Sequence, residues 1–139
     1  MTAAQITSPA TSSTATAHAT LRWGLLANAA LSLGTGLLFA IAGPTVSAWL
    51  GMDQGGLIRL LGAALIGHGV MLVWASGQDN IATLGRLNLA TIAPYPLILI
   101  GLIIGGVIDR NLGIGLALAD AAAVGLLAIV QFVGLRSHR

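Results

Sequence analysis

The chain contains no cysteine, no lysine and no glutamate, and its formal charge rests on six Arg and four Asp in 139 residues. Without cysteine there is no disulfide framework, thiolate metal site or thiol–disulfide chemistry. Charged residues make up 7% of the chain, against about 25% in ordinary soluble domains. A water-soluble fold of this size could not cover its surface with so little charge, because a polar shell must remain after the core is buried. The arginines stand apart at Arg22, Arg59, Arg86, Arg110, Arg136 and Arg139. They form no basic stripe, so nucleic acid is not an expected partner.

What is present is apolar. Mean hydropathy is +0.92 and hydrophobic residues account for 56% of the sequence. Four apolar segments, at about 23–43, 57–75, 84–108 and 112–134, each approach the ~20 residues that cross a ~30 Å hydrocarbon core. Turn-forming stretches separate them: "GPTVSAWLGMDQGG", "SGQDN" and "DRN". Backbone polar groups cannot go unpaired in lipid, so each segment is expected to be a helix. The expected fold is all-α, an integral membrane up-down bundle of four transmembrane helices with short loops. Residues 1–20 are rich in Ser, Thr and Ala and have little to bury, so they read as a disordered tail. The transmembrane domain then covers 21–136, with a cytoplasmic C-terminal tail at 137–139. Cleavage after Ala42 in "FAIAG" is a competing reading, but the apolar stretch before it is long for a signal peptide.

Four spans put both termini and the "SGQDN" loop on one side, together with Arg22, Arg86, Arg136 and Arg139. The other side has Arg59 and Arg110, offset by Asp53 and Asp109. The excess of positive charge assigns the first side to the cytoplasm. Trp23, Trp49 and Trp74 fall near span ends, where an interfacial belt places them.

Helices in lipid associate through close packing and polar contacts. Small residues recur at intervals of four in the first span (Gly24, Asn28, Ser32, Gly36) and in the fourth (Gly113, Ala117, Ala121, Gly125). Shorter rows are Ala63 and Gly67 in the second span, and Gly101 and Gly105 in the third. Packing within one chain is the simpler expectation for these rows, and a homo-oligomer or larger membrane complex the other. Pro94 and Pro96 deprive the carbonyls of Ala90 and Ile92 of helical partners, so a kink is expected in the third span, with Thr91, a neighbouring helix or water as the alternative partners for the freed carbonyls.

Asp120 is the one charge between Leu112 and Val133. It stands about eight residues, or ~12 Å, into its span, close to the midplane. An ionised carboxylate there costs about 2.5–3.5 kcal/mol, so it should face the bundle interior, either paired or protonated. His68 is the expected partner, with Tyr95 and Thr35 at similar depth, and Asn28 with Asn88 forming a second layer. Such a layer either fixes helix register or handles protons or ions. His68 is also a weak candidate for a cofactor ligand, since Ala64 one turn earlier leaves room for a flat ring, but it could supply only one axial bond. No metal site and no catalytic set are expected. Ser47 and Ser76 lack a His or carboxylate at a triad spacing, and the glycines do not form a phosphate loop.

The segments "IRLLGAALIGHGVMLVWA", "RLNLATIA" and "ALADAAAVGLLAIVQFVGLRS" resemble small four-helix integral membrane proteins of bacteria. The resemblance is carried by Arg59–Gly62, Asn88, Gln131 and Gly134–Arg136, while Thr91 stands where an aromatic is common in that pattern. It implies a four-helix fold and a bacterial inner-membrane address, and no activity. Asn28 and Asn88, Ala30 and Ala90, Gly34 and Pro94, and Gly36 and Pro96 also align at one offset, an internal echo between two helices. The function expected from these readings is a structural or accessory subunit of a membrane assembly. A minimal oligomeric transporter or channel built on Asp120 and His68 is the alternative.

Overall fold

The computed structural model describes residues 9–137, and in these the secondary structure is entirely helical. Five helices follow in order: α1 Pro9–Leu50, α2 Gly55–Ala75, α3 Ile81–Ile92, α4 Tyr95–Ile104 and α5 Asn111–Ser137. Since α3 and α4 run on as one apolar segment, there are four stretches long and apolar enough to cross a membrane: Ala15–Leu50, Gly55–Ala75, Ile81–Ile104 and Asn111–Ser137. The outer surface is apolar, with Leu60, Leu97, Ile104 and Leu126 all exposed.

The first helix differs from expectation at both ends. Residues 9–20, read above as disordered tail, are helical, and Ala17 and Leu21 are buried. Burial of Ala17 shows that this end of the helix packs on a neighbour despite its low hydropathy. Residues 1–8 and 138–139, the remainder of the two expected tails, lie outside the described residues. At its other end α1 passes through Gly43, where a loop was expected. It kinks at Ala42 (φ −104°, ψ 24°) and continues through Pro44 to Leu50. Pro44 breaks one helical bond and sets φ for a new first turn, so it bends the helix without ending it. Ser47 then secures the short 51–54 connection: its hydroxyl donates to the Met52 carbonyl and accepts from the Gln54 amide.

The closest packing is between α1 and α2. A Cβ added at Gly62 would lie 2.5 Å from the Ala40 nitrogen and 2.7 Å from the Gly36 carbonyl oxygen. One added at Gly55 would lie 2.9 Å from the Pro44 Cα, and one at Gly69 2.6 Å from Leu33 Cγ. As α1 advances α2 retreats, so the pair is antiparallel, and the contacts on α2 recur every seven residues. That is the spacing of a left-handed helix pair, in which a seven-residue repeat keeps the seam facing its partner. Ala63 and Gly67, the row expected to pack, are both exposed.

α5 packs on α1 with a similar rhythm. Gly134 meets Leu21, Gly24 meets the Gln131 side chain, and a Cβ at Gly113 would lie 2.7 Å from the Trp49 carbonyl oxygen. The expected row Gly113, Ala117, Ala121 is buried, but Gly125 is only half-buried. A four-residue step overshoots a helical turn by about 40°, so such a row winds off the contact face. The seam continues instead through Val124, Gln131 and Leu135, which are buried. Leu21, Leu25, Ala29, Leu72, Ala75, Ile81 and Leu135 form one hydrophobic cluster at the end where α2 turns into α3. Replacing Gly62 with Ala is expected to destabilise the protein by about 1–3 kcal/mol through overpacking. Gly67→Ala, on the open face, should change stability by no more than about 0.5 kcal/mol. Thermal unfolding in detergent, followed by circular dichroism, checks the pair.

Candidate functional site

Beyond the hydrophobic cluster, α2 remains on α1 while α4 packs on α5. The space between them forms two cavities. One, of about 240 Å³, is lined by Asn28, Ser32, Thr35, His68, Thr91, Tyr95 and Asp120 among apolar side chains. The other, of about 330 Å³, reaches toward Trp49, Met52, Leu57 and Ile108. Thr35, Leu61, Tyr95 and Asp120 belong to both.

The helix break at Ala93–Pro94 sets the position of Tyr95. Pro94 and Pro96 lack N–H groups, so the regular ladder cannot pass through them, and α4 begins afresh at Tyr95. From there the phenol reaches α5 and donates a 3.0 Å hydrogen bond to Asp120 Oδ2. The expected polar layer is therefore assembled in part. Asp120, His68, Tyr95 and Thr35 all face one cavity, but the partner of Asp120 is Tyr95. His68 makes no hydrogen bond to it, because α2 is held against α1, away from α5. Thr91 also differs from expectation: it is exposed and donates to the Leu87 carbonyl at 3.0 Å, not toward the backbone freed by the prolines.

A second set of polar groups is fully enclosed. Asn28 Nδ2 donates to Asn88 Oδ1 at 3.4 Å, and Asn88 Nδ2 donates to Gln131 Oε1 at 2.8 Å. Gln131 Nε2 then donates to the Gly24 carbonyl at 3.5 Å. The three side chains are 3%, 2% and 0% exposed, so water does not satisfy them and the protein must. The chain of bonds leaves α1, crosses α3 and α5, and returns to α1, which locks the register of three helices. Asn28 and Asn88 were expected to sit together, whereas Gln131 was singled out only as part of the family resemblance. Its signal was available: it lies eleven residues, close to three turns, beyond Asp120 on the same face.

The remaining packing candidates divide. Gly24, Ser32 and Gly36 are buried on α1. Ala63, Gly67, Gly101 and Gly105 are exposed, and nothing approaches Gly67 or Gly101 within 4 Å of where a Cβ would be. Among the described residues no three His, Cys, Asp or Glu side chains converge as a metal site requires. His68 and Ala64 both line the smaller cavity, where the imidazole could supply one axial bond.

The two polar groupings should differ in energy. Asn88→Ala removes both of its bonds and leaves buried amides unpaired, which should cost about 1–3 kcal/mol. Tyr95→Phe removes one half-buried bond, for about 0.6 kcal/mol, the mean for interhelical bonds in membranes. Unfolding of the two variants in the same detergent measures the difference. Comparison with protein-family models, curated proteins and solved structures returns no match to this chain.

Proposed function

We propose that this chain is a small multi-pass membrane protein that acts as a structural or accessory subunit of a membrane assembly. Its four spans would form an up-down bundle in a bacterial inner membrane. Both termini would be cytoplasmic, beside Arg22, Arg86 and Arg136, with Arg59 and Arg110 on the far side. Length and apolarity of the four stretches support insertion, as do exposed Trp49 and Trp74 near helix ends.

The observation that carries the accessory role is the placement of the small residues. Ala63 and Gly67 on α2, Gly101 on α4 and Gly105 just beyond its end are exposed and unused by the chain's own packing. Lipid tails gain nothing from such shallow surfaces, whereas another helix approaches closely across them. The occupant is a transmembrane helix of a partner subunit. Isolation from native membranes in mild detergent should yield a stoichiometric complex. Gly67→Ile and Gly101→Ile should release the partner while leaving unfolding of the isolated chain unchanged. A monomer with no stoichiometric partner, unaffected by either substitution, would overturn the reading.

A second reading, a minimal transporter or channel, is favoured by one specific feature. Asp120 belongs to both cavities, so a solute in either would meet the same carboxyl group. On this reading Asp120→Asn abolishes solute or proton flux into liposomes reconstituted with the protein. Unchanged flux would exclude it.

A further inference from the structure

The cavity walls carry one carboxyl group among hydroxyl, imidazole and apolar side chains. Tyr95 spends its hydroxyl hydrogen on Asp120, and Thr91 spends its own on the Leu87 carbonyl. Asn28 donates toward Asn88. Facing the space, the second carboxyl oxygen of Asp120 can only accept when ionised, whereas the hydroxyls of Ser32 and Thr35 and the His68 imidazole can donate as well as accept. No Arg side chain lines either cavity, and His68, which lines the smaller one, makes no hydrogen bond to Asp120, so among the described residues the carboxyl group has no ion-pair partner. The rest of the lining is Leu, Ile, Val, Ala, Phe and Met, with Trp49 in the larger cavity. The larger cavity lies near the lower end of the roughly 300–1,000 Å³ range of small-molecule pockets.

We propose that these cavities, which share Asp120 in their walls, bind a hydrophobic organic ammonium ion, its apolar body among the Leu and Ile side chains and its N–H groups donating to Asp120. The charge that would be costly to leave alone at this depth is then paired by the ligand, in a charge-assisted hydrogen bond. A neutral molecule of the same shape gains only the apolar contacts. This goes beyond the accessory role and gives the transporter reading its substrate class. Binding and flux are separate measurements, so loss of flux alone would leave the site standing.

The test uses the full chain in lipid nanodiscs and two probes, phenethylamine and its neutral isostere phenethyl alcohol. Equilibrium dialysis of labelled probe, with empty nanodiscs subtracted, should show saturable amine binding that weakens about tenfold or more in Asp120→Asn. The alcohol should bind wild type and variant alike. A second measurement on the unmodified chain covers the case in which the variant does not fold. Dicyclohexylcarbodiimide, which adds to membrane-embedded carboxyl groups, should label Asp120, with the site mapped by peptide mass. Phenethylamine should protect that site and phenethyl alcohol should not. Equal binding of both probes, or labelling that neither slows, would overturn the proposal.

Discussion

Where Gly36 and Gly62 meet, two helix backbones approach so closely that neither position has room for a methyl group. In a medium as apolar as leucine, burying side chains supplies no net drive between helices, and intimate backbone contact takes its place. The contact repeats at Gly55 and Gly69, and its seven-residue spacing holds α2 along much of α1. The consequence extends beyond that pair. A helix held so tightly to one neighbour leaves the others at a distance, and the cavities exist because α2 follows α1 while α4 follows α5.

Glycine contacts set distance but tolerate sliding, since one shallow surface resembles the next. The amide chain through Asn28, Asn88 and Gln131 removes that freedom. Each bond has a direction and a single matching register, and burial means that a slip would leave amides unpaired away from water. Distance is thus set by the absence of side chains, and register by a few polar ones. The two devices occupy neighbouring levels of the molecule, next to the hydrophobic cluster where α2, α3 and the end of α5 converge.

Asp120 is the contrasting case. The amides satisfy one another, whereas the carboxylate receives one phenol bond and faces open space. A group placed only to fix register would be enclosed as Asn88 is. The open side of Asp120, and the small residues that the chain does not use on α2 and α4, are the two places where this molecule is unfinished by itself. They carry the ligand proposal and the assembly proposal respectively.

Composition and hydropathy determined the number of apolar helical stretches and their approximate positions, because length and apolarity suffice to identify a segment that avoids water. The break at Pro94 was equally legible, since a missing N–H acts locally. The depth of Asp120, Tyr95 and Thr35 followed from counting along the helices, and the pairing of Asn28 with Asn88 from their common level. Which small residues pack was not legible from four-residue rows: Gly62 and Gly69 are buried where Ala63 and Gly67 were expected. Helix rotation depends on supercoiling, and that is set by the partner helix. The choice of Tyr95 over His68 for Asp120, and the entry of Gln131 into the amide chain, were likewise decided only in three dimensions. Depth along a helix is a property of one segment, whereas facing is a property of two.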